Sequence, residues 1–241
     1  MVVAPEVRNP PQRAMFDYDE FGTLLATNPE ALLAFYVEHS KGSLDKLRGG
    51  LVNLMQDPVN NLPALKRQTD EVAFDLVSLS PGTDHLPNPE LEILFHHSSF
   101  VSLWMNLAYL AANDDSLCSQ AVDGGSALNI FIYKLFSGVT PEFRRLRLDP
   151  VEFGALKAIS MWKISSFGSN ETARVLSGEQ YLGVAKALND YHQTKPLQDF
   201  EKAGRLADIT SLLAPITAAY GCMMEMYTEL NIDDTYRGDF V

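Results

Sequence analysis

Apolar residues recur along this chain at intervals of three and four, the spacing that gathers them on one side of an α-helix. Tyr181, Val184, Leu188 and Tyr191 fall on one such face, and Leu206, Ile209, Leu213 and Ile216 on another. From about 90 to 112 the run ELEILFHHSSFVSLWMNLAYLAA is apolar around most of its circumference, which predicts a helix in the middle of a domain. The polar punctuation agrees with helices. Asn28-Pro29-Glu30, Asn88-Pro89-Glu90, Thr140-Pro141-Glu142 and Asp149-Pro150-Val151-Glu152 each set a capping side chain, then a proline that has no N–H to satisfy, then an acid facing the positive end of the helix dipole. Ser177 with Gln180 reads as a capping box opening YLGVAKALNDY.

Some stretches break the helical rhythm. Asp123-Gly124-Gly125 followed by the β-branched and aromatic NIFIY predicts one short hairpin near 120–134. Gly49-Gly50 and the segments 56–63 and 80–89 read as breaks or loops. Pro215 predicts a kink or break inside a long helix over about 205–230. The expectation is an all-α fold with at most that one hairpin. Residues 1–15 are expected to form a flexible proline-containing leader and 16–241 a single domain.

Composition narrows the function. With 241 residues, 46% of them hydrophobic and 21% charged, the chain can bury a substantial core and does not read as disordered. A formal net charge of −12 argues against direct nucleic-acid binding by this chain, and the cluster Arg144, Arg145, Arg147 reads as a solvated edge. Two cysteines, Cys118 and Cys222, cannot build a zinc module. No run of 18 or more consecutive apolar residues suggests a membrane span.

Candidate chemistry is thin. His96 and His97 are adjacent and so diverge by about 100° on a helix, and no metal site is expected from them. Asp114-Asp115 and Asp233-Asp234 read as solvated loop acids, and no nucleophile, base and orienting group can be assembled on spacing. No catalytic residue and no cofactor is expected. The methionine-rich run Cys222-Met223-Met224-Glu225-Met226-Tyr227 suits core packing, or the lining of a variable apolar ligand.

The stretch LRLDPVEFGALKAISMWK, residues 146–163, carries more. With Arg144 it resembles the helix 7–helix 8 region of nuclear-receptor ligand-binding domains, which read roughly (K/R)LxLxxxEFxxLKAIxL. The matching residues are Leu146, Leu148, Glu152, Phe153, Leu156, Lys157, Ala158 and Ile159. EQYLGVAKALNDYHQTKP resembles that family's helix 9, GRLADITSLLAPITAAYGCMMEMYTEL its helix 10/11, and ELEILFHHSSFVSLWMNLAYLAA its helices 4 and 5. The resemblance covers roughly residues 70–230 and is strongest over 144–216. Several family features have no match. Val77 stands nearest the place of the helix 3 lysine that clamps coactivator peptides. The tail NIDDTYRGDFV does not read as an activation helix, and no zinc-finger DNA-binding domain is present.

The resemblance implies a three-layer antiparallel helical sandwich around an apolar cavity, in a divergent, nematode-type receptor. It implies a nuclear transcription regulator that binds a lipophilic ligand, a homo- or heterodimer partner, and corepressor or coactivator proteins. The alternative is a ligand-less scaffold that binds only proteins. It points to Phe100, Leu103, Trp104, Leu107 and Met223 as pocket-lining candidates. It points to Leu206, Ile209, Leu213 and Ile216 as an exposed dimer strip, the plain alternative being that all four are core. Glu152, third residue of a helix capped by Asp149, can simply close a capping box. In the family a glutamate here also pairs with the arginine before helix 10, which implies a partly buried ion pair with Arg205. Lys157 is expected to face solvent.

Overall fold

A computed structural model of the chain describes residues 28–119, 125–166, 169–232 and 234. Among the described residues every regular element is helical: α1 (Pro29–Gln56), α2 (Pro58–Leu79), a single 3-10 turn (Thr83–His85), α3 (Asn88–Asn113), α4 (Asp115–Ser119), α5 (Ala127–Gly138), α6 (Thr140–Leu146), α7 (Pro150–Ser165), α8 (Glu171–Gln193), α9 (Asp199–Ser211) and α10 (Leu213–Glu229). The predicted leader and the tail beyond Asp234 lie outside the described residues, as does residue 233.

The helices stack in three layers. α3 and α7 are the middle: 18 of the 26 residues of α3 and 13 of the 16 of α7 are buried. α1 and α2 cover one side, α5, α9 and α10 the other, and α8 packs along α1, α7 and α9. Two glycines let helices approach closely, one between layers and one within a layer. A Cβ at Gly154 of α7 would lie 2.9 Å from the Val37 Cα of α1, so these helices meet almost backbone to backbone. A Cβ at Gly50 would lie 2.7 Å from the Leu65 Cδ1 of α2. α1 therefore runs unbroken through Gly49-Gly50, and Gly50 is a packing point within it.

Several local expectations change. NIFIY is not a strand but part of α5, whose first turn is capped by Ser126 accepting from the Asn129 N–H at 3.2 Å. Leu128, Phe131, Ile132 and Leu135 are buried at helical spacing, and this core face outweighs the β-propensity of the run. The hairpin's remaining residues, 120–124, lie outside the described residues. The expected loop 56–63 shrinks to Asp57, which caps α2 ahead of Pro58. Ser177 and Gln180 open no helix: α8 starts at Glu171 under the Asn170 cap, and both residues are buried within it. Asn88 lies in the first turn of α3 and makes no side-chain cap. The long C-terminal helix breaks at Leu212, between α9 and α10, where the ring at Pro215 denies Ser211 its helical donor.

Candidate functional site

The start of α7 is built by its own sequence. The Asp149 carboxylate accepts from the N–H groups of Val151 and Glu152, and Glu152 Oε2 accepts from the Asp149 N–H at 3.0 Å, a complete capping box. The same Glu152 carboxylate takes two bonds from Arg205 of α9: Nε to Oε1 and Nη2 to Oε2, each 2.7 Å. Arg205 Nη2 also donates to the Leu146 carbonyl at 2.8 Å, and the fully buried His192 of α8 places Nε2 3.1 Å from Oε1. Glu152 is 3% exposed and Arg205 is partly buried, so the cluster joins α7, α8 and α9 at a largely buried junction. Burial pushes the Glu152 carboxyl up, but the bonds from Arg205, His192 and the Asp149 N–H outweigh it and bring its pKa down to about 2. The hydrogen bond to Glu152 raises the Arg205 pKa in turn. Arg205 sits in the middle of α9 rather than before it.

Beside the pair lies an open groove of about 580 Å³, floored by Glu152 and Arg205 and rimmed by Arg147, Lys195, Leu197 and Phe200. Asp149 Oδ2 there accepts from Tyr191 at 2.9 Å and from Lys195 at 2.6 Å. Asp149 with Lys195 and Glu152 with Arg205 are paired across it, so the groove follows a seam between helices.

Lys157 does not face solvent. It is 4% exposed, and its Nζ donates to Ser43 Oγ of α1 at 3.0 Å and to Asn106 Oδ1 of α3 at 3.1 Å. The close contact at Gly154 seals this part of α7 against α1, so the stem has no route to the surface. Burial alone drives its pKa down to about 7.

Asp234 is also not a solvated loop acid. Its side chain is 10% exposed and meets Lys66 of α2 at 2.6 Å and His96 Nδ1 of α3 at 3.0 Å. Lys66 bonds at the same time to Asp70 at 2.6 Å, and Ser99 donates to Asp70 at 3.0 Å. Burial raises the Asp70 pKa; for Asp234 burial acts the same way, but His96 and Lys66 win and its pKa falls. This cluster pins the residues after α10 onto α2 and α3. Sequence spacing could not show it, because the partners are 138 or more residues apart.

The pocket-lining candidates Phe100, Leu103, Trp104, Leu107 and Met223 are each at most 1% exposed. Trp104 lies edge-on to Phe131 at 4.7 Å and donates to the Tyr227 hydroxyl at 3.1 Å, while Phe100 lies edge-on to Tyr220 at 5.4 Å. Val77, nearest the place of the clamp lysine, is fully buried in α2 and presents nothing at the surface. Among the described residues no group of three His, Cys, Asp or Glu side chains is placed to hold a metal ion. The arginine cluster is partly consumed by helix ends: Arg144 donates to the Ala111 and Ala112 carbonyls at the end of α3, and Arg145 pairs with Glu142.

The expected dimer strip turns inward. Ile209 and Ile216 are fully buried, and Leu206 and Leu213 are partly buried against the core. Because these are the largest apolar residues of the run, they go to the domain's own interior. The outward side is made mostly of small residues instead: Ala203, Ala207, Ser211, Ala214, Thr217, Ala218, Gly221 and Thr228 are exposed, joined by Met224 and, on either side of 209–224, by Asp208 and Glu225. From Ile209 to Met224 no side chain is charged, in a chain of net charge −12. By length and composition the stretch Asp199–Glu229 is apolar enough to cross a membrane, although it lacks the unbroken apolar run sought in the sequence. Ile209, Leu212, Ile216, Met223, Met226 and Tyr227 are buried in the domain, whereas Phe200 and Met224 are exposed.

No model of a known protein family matches the chain. Curated proteins do. The chain is similar to the nuclear hormone receptor family members nhr-169 and nhr-77 of Caenorhabditis elegans. Over 219 residues it is 28% identical to the first, covering 90% of this chain and 60% of that protein. Over 211 residues it is 29% identical to the second, covering 80% of this chain and 56% of that protein. It is also 26% identical over 219 residues to nhr-217 of the same organism. The chain thus spans little more than half the length of these relatives.

Proposed function

We propose that this chain, a divergent relative of the nematode nuclear hormone receptors, is the ligand-binding-domain-like module of a transcription regulator and acts by pairing with a second receptor-type domain through the outward face of α9 and α10. The observation that carries this reading is the uncharged, exposed small-residue face over Ile209–Met224. A solvent-facing helix in an acidic protein would ordinarily carry charge on that side. Small residues allow a facing helix to approach closely, and the absence of charge removes the desolvation cost of covering the surface. Homo- or heterodimerisation, contact with corepressor or coactivator proteins, and residence in the nucleus belong to this proposal.

A second reading concerns ligand. A lipophilic molecule would enter among Phe100, Leu103, Trp104, Leu107 and Met223, where adaptable methionine and aromatic edges meet. Their close mutual packing favours the scaffold alternative, in which the interior is filled by side chains and the module reads out protein partners alone. Native mass spectrometry of the chain purified from its own cells separates the two: a retained lipid of stoichiometric mass supports ligand binding, and bare protein supports the scaffold. The regulatory reading is tested by fusing the chain to an unrelated DNA-binding domain and measuring a reporter in host cells. A change in output in either direction supports it; output identical to the DNA-binding domain alone contradicts it.

A further inference from the structure

Lysine normally threads its stem along apolar surface and keeps its ammonium in water. Lys157 keeps its amino group buried as well. It is enclosed by α1, α3 and α7, and its hydrogen bonds all go to neutral groups. Those partners are themselves fixed. Ser43 donates its own proton to the Ser40 carbonyl at 2.9 Å, which leaves its oxygen free only to accept. The Asn106 amide donates to the Ser102 carbonyl at 2.7 Å and to Ser43 Oγ at 3.4 Å, which turns its carbonyl oxygen toward Lys157. The pocket therefore offers two acceptors, and a neutral amine has two N–H donors. Among the described residues no third oxygen lies within hydrogen-bond distance of Nζ, and the Phe153 ring has its centroid 5.7 Å away.

The charged surroundings point the same way. From α1 the titratable group facing it is His39, which burial and then the Lys157 charge hold down to a pKa of about 4. α3 contributes Asn106 and Ser102, which do not titrate. The one acid of α7, Glu152, is engaged by Arg205 and His192. Among the described residues no carboxylate of α2 or α8 acts on the amine.

We propose that Lys157 stands in the folded protein as a neutral amine, and that the junction of α1, α3 and α7 around it is a proton-sensitive clasp, closed above neutrality and loosened by acid. The folded-state pKa of about 7 lies below the ordinary 10.5, so between these values the unfolded chain binds the extra proton. Stability rises with pH across that window and has lost this contribution once pH falls through about 7. α1 touches α2, α3, α7 and α8, so loosening it is felt across the middle and one outer layer.

The decisive measurement is an NMR titration of the lysine 13Cε resonances of the intact wild-type chain from pH 5.5 to 10. The Lys157 resonance should titrate with a midpoint near 7 while the others begin to move only at the alkaline end, Lys195 last of all because Asp149 holds its proton. If no resonance titrates near 7, or the one missing from Lys157→Met keeps its charged position throughout, the proposal is overturned. Lys157→Met should remove that resonance. Between pH 7.5 and 9.5 the folding equilibrium constant of wild type should gain about tenfold per pH unit over this variant, the slope of one proton. Parallel profiles would overturn the clasp. Lys157→Arg, which cannot shed its proton, should be destabilised more than Lys157→Met; the reverse order would show that the site wants a charge. Should neither variant fold, the wild-type midpoint decides alone.

Discussion

Glu152 and Lys157 lie five residues apart on α7, both buried, and the fold treats them in opposite ways. Glu152 sits at the helix start, where an orphan N–H, a guanidinium and an imidazole converge on its two oxygens. It keeps its charge and gains acidity. Lys157 sits where α7 is apolar on every side and meets only a hydroxyl and an amide oxygen. It gives up basicity. Burial is common to both, so the difference lies in what each group can bond. A buried charge persists where opposite charge and donors surround it, and is suppressed where they do not.

The largest test of this contrast is to make the Glu152 end resemble the other. Arg205→Met leaves the carboxylate buried with its strongest partner gone, and chemical denaturation at pH 7 should show a loss of about 3–5 kcal/mol. Combined with Glu152→Gln in a double-mutant cycle, the two sites should couple by well over 1 kcal/mol; additive losses would show the pair to be idle. Next comes the acid limb. Glu152 has a folded pKa of about 2 against an ordinary 4.5, so its contribution is fully present above about pH 4.5 and is lost as pH falls toward 2. That shift corresponds to about 3 kcal/mol. In Glu152→Gln this part of the acid transition should be missing. Gly154→Ala is smaller, about 1–3 kcal/mol, because its methyl group meets the Val37 backbone and α7 must part from α1. It should also admit water beside Lys157 and raise that amine's titration midpoint, which an unmoved midpoint would refute. Smallest is Trp104→Phe. It deprives the buried Tyr227 hydroxyl of a donor at about 1–2 kcal/mol and should leave both charged sites unchanged.

What could be read from the chain follows the same division. The Asp149–Glu152 capping box was legible because it is local: both partners lie within one turn. Arg205 enters only by resemblance, since nothing in the sequence links it to Glu152, 53 positions earlier. Lys157 departs from the expectation that a charged side chain faces solvent. The contrary signal stood in the sequence: FGALKAISMW is apolar around the whole helix, so no solvent side existed for the lysine to occupy. Likewise Leu128, Phe131, Ile132 and Leu135 keep helical spacing within the segment read as a hairpin. Asp234 was beyond reach, because its partners come from α2 and α3 and no periodicity records them. On α9 and α10 the period was right but the side was wrong. The large apolar residues serve the domain's own core, and the small ones face outward.

That outward face carries the functional account, and sedimentation velocity on the chain and its Ala214→Glu variant tests it most directly. Ala214 is exposed at the centre of the uncharged stretch, so a glutamate there costs the monomer little and places a charge inside any helix pairing. The account predicts that wild type shifts from monomer to dimer as concentration rises, or forms a 1:1 complex with a receptor-type partner. Ala214→Glu should stay monomeric at every concentration with unchanged thermal stability. A wild-type chain that remains monomeric alone and with each receptor partner offered, or a variant that pairs as well as wild type, would contradict it.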